Sequence, residues 1–153
     1  MTSKIDARLA ALGITIPDLA PPVANYVPFT ISGKTLYISG QLPGAGGQMT
    51  KGHLGKDVSL EDGQKAARVC AINIIAQAKA ALGDLDKISR CLRLGGFVAS
   101  TPEFTAHPKV VNGASDLIVE VFGDAGKHAR AAVGVSALPL GAAVEVDAIF
   151  EIK

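Results

Sequence analysis

The chain has 153 residues, 48% of them hydrophobic and 19% charged, with 15 Lys and Arg against 14 Asp and Glu. That length fits one compact domain, and the apolar content excludes wholesale disorder. A formal net charge of +1, with no block of like charges, argues against a nucleic-acid binder, which needs a basic surplus to meet phosphates.

The opening residues Met1-Thr2-Ser3-Lys4-Ile5-Asp6 lack the apolar run of a signal peptide, and no apolar window is long enough to span a membrane. A cytoplasmic location is expected. Cys70 and Cys91 both stand inside apolar patterns. In a chain with two cysteines this reads as a pair of buried thiols acting as small hydrophobes.

Ser3 to Leu12 reads as a short helix, with Ser3 as cap, Asp6 placed for a capping box and Gly13 as the stop. Pro17, Pro21 and Pro22 then hold an extended linker. Phe29-Thr30-Ile31 and Thr35-Leu36-Tyr37-Ile38, separated by Ser32-Gly33-Lys34, have hairpin spacing. Gly40 to Gly55 holds six glycines but no phosphate-binding pattern, and is expected to be a flexible loop.

Ser59 caps the longest expected helix. Glu61 and Asp62 suit the positive end of its dipole, Ala67, Cys70, Ile74, Ala78 and Leu82 form its buried stripe, and Gly83 stops it. Gly63 weakens its first turn. Ile88 to Ser100 reads as a strand, with a bulge expected at Gly95-Gly96. Val110, Ala114, Leu117, Val121 and Phe122 mark a second amphipathic helix closed by Gly123. Two strands follow, Ala129 to Ala137 and Ala143 to Ile152, read as a final hairpin joined by Leu138-Pro139-Leu140-Gly141.

This order predicts an α+β fold: a single mixed sheet with two helices packed on one face, plus the short N-terminal helix. The opposite sheet face must then meet solvent or another subunit. In the first of the two last strands Arg130, Ala132, Gly134 and Ser136 share one side, and Ala131, Val133, Val135 and Ala137 share the other. The valine side is expected to pack on the helices, which turns Arg130 to the uncovered face. In the last strand Glu145, Asp147 and Glu151 alternate with an apolar set. His53, His107 and His128 are scattered and no metal-ligand spacing occurs, so no metal site is expected. What remains is arginine-centred recognition, since a guanidinium grips a carboxylate through two parallel hydrogen bonds.

Five features in order resemble the RidA/YjgF family of small imine deaminases. They are Tyr26, Ser39-Gly40-Gln41, Asn112, Arg130 with Leu138-Pro139 after it, and Val144-Glu145-Val146. The intervals of 13 residues from Tyr26 to Ser39 and 15 from Arg130 to Glu145 are the family's. The resemblance covers residues 26–153, with 1–25 left as an N-terminal helix and Pro-rich linker. It implies a chorismate-mutase-like fold and a homotrimer with active sites in clefts between subunits. The implied activity is cofactor-free hydrolysis of small 2-imino acids or enamines to 2-oxo acids and ammonia.

By the same resemblance Arg130 would clamp the substrate carboxylate and Glu145 would orient or deprotonate the attacking water. Tyr26 would line the pocket, Asn112 would support it, and Ser39 and Gly40 would form its wall. Ala132 stands where many members carry cysteine, and His128 where they usually carry proline. These departures keep a second function open, a non-catalytic trimer that binds a small carboxylate or a protein. His128 itself reads as a strand-edge histidine.

Overall fold

The structure is a computed structural model and describes residues 3–17, 19, 25–45 and 48–153. Pro21 and Pro22 of the expected linker, and Gly46 and Gly47 of the glycine-rich segment, lie outside the described residues.

A five-stranded sheet is built from β1 (Phe29–Ser32), β2 (Thr35–Gln41), β5 (Ile88–Ala99), β6 (Ala129–Val135) and β7 (Val144–Ile152), in the spatial order β1-β2-β7-β5-β6. The β5–β6 pair is parallel and the other pairs are antiparallel, so the sheet is mixed. Helices α2 (Leu60–Leu82) and α3 (His107–Phe122) pack on one face of it. The expected α+β architecture is therefore the observed one.

Local chemistry accounts for the boundaries. The Ser59 hydroxyl accepts the Asp62 N–H at 3.1 Å to start α2, and Gly83 at φ 74° ends it. Gly33 at φ 58° makes the turn between β1 and β2. Leu36, Ile38, Leu94, Val98, Val144, Val146 and Phe150 project from the sheet into the core, where Cys70, Ile74, Val110, Ala114 and Leu117 meet them. Both thiols are free and buried, and burial pushes Cys91 up to about 12.

Helix α1 (Lys4–Ala11) begins at Ser3, whose hydroxyl accepts the Asp6 N–H at 2.9 Å. It is docked on the domain. Asp86 accepts the N–H groups of Lys4 and Ile5 at 2.8 and 3.0 Å, which hold that carboxyl below its usual range. Asp6 pairs with Lys79 on α2, and Arg8 Nε donates to the Glu120 carbonyl of α3.

Four expectations need correction. The last two strands are not a hairpin, because β5 lies between them: β6 joins β5 through the α3 crossover, and β7 enters the sheet between β2 and β5. The register shifts of β5 fall at 88–90 and 91–93, whereas Gly95 and Gly96 pair regularly with both neighbours. The glycines are there for space, since a Cβ on Gly95 would collide with Asp147 and one on Gly96 would lie 2.5 Å from Val111 of α3. Part of the glycine-rich segment is ordered into strands β3 (Gly44–Ala45) and β4 (Gln48–Met49), with Asn73 donating to the Leu42 and Gly44 carbonyls.

The fourth correction concerns β6. Leu94, on the core side of β5, is the register partner of Arg130, so Arg130, Ala132 and Gly134 face α3. Ala131 and Val133 face away from the helices, and Val133 is 44% exposed. At this edge strand Arg130, Ala132 and Gly134, not the valines, face inward, and at Gly134 even a Cβ would collide with His107 of α3.

The α2–α3 crossing depends on the same device. A Cβ on Gly113 would collide with the Gln64 carbonyl of α2, which cannot retreat without breaking its helix. Gly113→Ala should therefore destabilise the fold by about 1–3 kcal/mol despite alanine's better helix propensity, read as a lower denaturation midpoint.

Candidate functional site

The six residues singled out from sequence fall into two groups. The first sits on β2 and β7. The Ser39 hydroxyl donates to the Val27 carbonyl at 2.8 Å, which ties β2 to the segment carrying Tyr26, itself 58% exposed. Gly40 lies against Glu145: a Cβ there would stand 2.9 Å from the Glu145 carboxyl carbon, so glycine is what admits that side chain. Ser39 and Gly40 belong to strand β2, not to the loop after it.

Glu145 points away from the helices, since Val144 and Val146 on either side of it are buried beneath them. It is half-buried. Burial first, and the neighbouring Asp147 carboxylate second, raise its pKa above the ordinary carboxylate value. Asp147 is raised by burial too, against the opposing pull of Arg93, whose Nη1 lies 3.6 Å away.

The second group sits between β6 and α3. Arg130 Nη1 donates to the Ser115 hydroxyl at 3.1 Å and Nη2 to the Pro108 carbonyl at 3.2 Å. Asn112 lies four residues after Pro108 and three before Ser115 on α3, so all three share one helix face beside the guanidinium. His128 is more than the strand-edge residue expected. Its Nδ1 pairs with the Gly126 carbonyl at 2.6 Å and its Nε2 with the Ser115 hydroxyl at 2.9 Å, so Ser115 links it to Arg130. Because a carbonyl only accepts, Nδ1 carries a proton. In the neutral ring Nε2 then accepts the Ser115 O–H, leaving the serine lone pairs to Arg130.

Ser115 was not among the sequence candidates. Its one signal is its place one turn after Asn112 on the same face, and that needs the helix register.

Among the described residues the ion pairs are Lys65–Glu61, Arg68–Glu120, Lys79–Asp6, Arg93–Asp147 and Lys127–Asp124. Arg130 is in none of them. Its charge is held by a hydroxyl and a carbonyl, both neutral. Within one chain Arg130 and Glu145 stand on opposite faces of the sheet and on strands either side of β5, so a single copy does not bring the two groups together.

The family described as "YjgF/chorismate mutase-like, putative endoribonuclease" matches residues 6–152. Protein TCP17 of Trypanosoma cruzi is 51% identical over 155 residues, spanning 99% of this chain and 96% of that protein. The crystal structure of Atu1372 from Agrobacterium tumefaciens is 56% identical, with a TM-score of 0.90 over 97% of this chain and 94% of that one. A RidA from an Antarctic Psychrobacter is 28% identical, with a TM-score of 0.61 over 87% of this chain and 94% of its own.

The raised carboxyl pKa values have a stability consequence. A carboxyl whose pKa is higher folded than unfolded favours the fold while protonated and loses that contribution as pH rises through the folded value. Glu145→Gln should therefore raise the melting temperature relative to the parent at neutral pH, with the gain vanishing below the ordinary carboxylate range. Thermal melts across that pH interval check this.

Proposed function

The chain belongs to the YjgF/chorismate mutase-like family, and from that premise we propose that it hydrolyses small 2-imino acids, or their enamine tautomers, to 2-oxo acids and ammonia. The observation that carries the proposal is Arg130: a guanidinium held in place by Ser115 and Pro108 yet without a carboxylate partner among the described residues. A substrate carboxylate supplies the missing anion through two charge-assisted hydrogen bonds, which fix its orientation as well as its charge.

The imine carbon so oriented is already electrophilic. Water adds to it, the resulting amino alcohol sheds ammonia, and the 2-oxo acid leaves. Glu145 takes the proton from water and passes it to the nitrogen that departs as ammonia, and its raised pKa brings that base closer to neutral pH. Orientation and the shuttling of protons by one carboxylate are sufficient for so reactive a substrate, so no cofactor is required. Asn112 lines the carboxylate end beside Arg130, and Tyr26, Ser39 and Gly40 form the wall around Glu145.

Because Arg130 and Glu145 face opposite ways in one copy, the site is completed between copies, in the homotrimer that the family resemblance implies. The open sheet face supports assembly: Tyr37 and Val133 are 45% and 44% exposed there. We therefore expect a native mass three times the 15.6 kDa of the chain, and Val133→Asp should lower it, as read by light scattering.

Activity is measured by generating the imine with an amino-acid oxidase or a threonine dehydratase and following its decay. Arg130→Ala removes a charged hydrogen-bonded contact of about 1.5–3 kcal/mol, so the acceleration should drop by about tenfold or more. Unchanged decay in that variant would remove the mechanism. A melting temperature raised by small carboxylates without faster decay in the parent would assign a binding module instead, the reading that Ala132, in place of the family's frequent cysteine, favours.

A further inference from the structure

Beyond Arg130, the carboxyl ends of the parallel strands β5 and β6 open into a groove of about 590 Å³, and none of the six residues above lines it. Its walls include His53, Lys56, Ser100, Thr101, Phe104 and His107. The position follows from topology. Where a helix joins two parallel strands, the crevice beyond the strand ends is left open by the diverging loops, and ligands bind there. The volume lies within the range of small-molecule sites.

The groove is built from fixed groups. The His107 Nε2 and the Ser100 hydroxyl are 3.0 Å apart, and the Phe104 ring meets the His107 ring edge-on with centroids 5.4 Å apart. Gly134 makes room for that pair, since a Cβ there would collide with His107 Nε2 and lie 2.7 Å from Ser100 Oγ. His53 is held from two sides: its main-chain N–H donates to Asp57 at 2.6 Å, and its Nε2 donates to the Ser136 carbonyl at 2.8 Å. Lys56 enters no ion pair among the described residues. The lining holds two imidazoles, an ammonium and three hydroxyls, but no carboxylate.

We propose that this groove binds a small organic anion, its carboxylate or phosphate group toward Lys56 and the Ser100–His107 pair and its apolar part against Phe104. A cationic, hydroxyl-rich wall beside an aromatic ring selects for charge at one end of the ligand and for a flat apolar body at the other. The proposal stands apart from imine hydrolysis and from Arg130.

The test is a calorimetric titration of the full chain with benzoate, phenyl phosphate and the neutral benzamide. It is run in an Arg130→Ala background, so that the proposed carboxylate clamp contributes nothing. At least one anion should bind saturably, about tenfold or more tighter than benzamide, and Lys56→Gln should cost about that same factor while Lys56→Arg retains binding. The imidazole resonances of His107 and His53 should shift with the same saturation curve. Which anion binds decides between carboxylate and phosphate. Absence of saturable binding, equal affinity in Lys56→Gln, or histidine signals that do not move would overturn the assignment. The deaminase reading is judged separately, by imine decay.

Discussion

The closeness with which α3 lies on β5 and β6 is the constraint on which the rest depends. Three positions carry no side chain where that helix needs room: Gly96 beneath Val111, Gly134 beneath His107, and Gly113 against the Gln64 carbonyl of α2. Interiors packed at crystal density have no slack to absorb a misplaced methyl group, so these glycines fix where the helix sits. The helix position then fixes the chemistry. It puts Ser115 and the Pro108 carbonyl within reach of Arg130, and His107 within reach of Ser100.

Charge is distributed unevenly across the sheet as a result. The α3 side holds a guanidinium satisfied by neutral acceptors only, which keeps it in place without cancelling its charge. The other side holds Glu145 and Asp147, two half-buried carboxyls whose ionisation burial disfavours, that of Glu145 further by the neighbouring Asp147. A cation awaiting an anion and a carboxylate inclined to take a proton are the two partners that hydrolysis of an imino acid calls for. They lie on opposite faces of one subunit, which is the physical reason the proposed reaction belongs to an assembly and not to a lone chain.

Much of the fold was legible in the sequence. Ser59, Gly83, Gly33 and the stripe from Ala67 to Leu82 mark local events that depend on neighbours in the chain, and each lies where its chemistry demands. What was not legible depends on partners distant in sequence. The side-chain alternation of β6 was readable, but which side turned inward was not: the rule that the larger apolar residues face the core fails where α3 leaves no room for a Cβ at Gly134 and holds Arg130 by hydrogen bonds. Arg130 could be singled out as a candidate through the resemblance carried by its interval to Glu145 and by the Leu138-Pro139 pair, whereas its hydrogen bond to Ser115, itself linked to His128, could not. The Ser100–His107 pair straddles a loop and shows no motif. Its one signal, small polar residues after a strand and a histidine opening the next helix, carries meaning only once β5 and β6 are known to be parallel.

The central claim is that Arg130 receives a substrate carboxylate in a cleft between copies. A crystal structure of the protein with a bound small 2-oxo acid, the product of the proposed reaction, addresses it most directly. The account predicts both carboxylate oxygens on the Arg130 guanidinium and Glu145 of a second copy facing the keto carbon. A product carboxylate seated away from Arg130, or a cleft whose Glu145 stands beyond the reach of a bridging water, would contradict it.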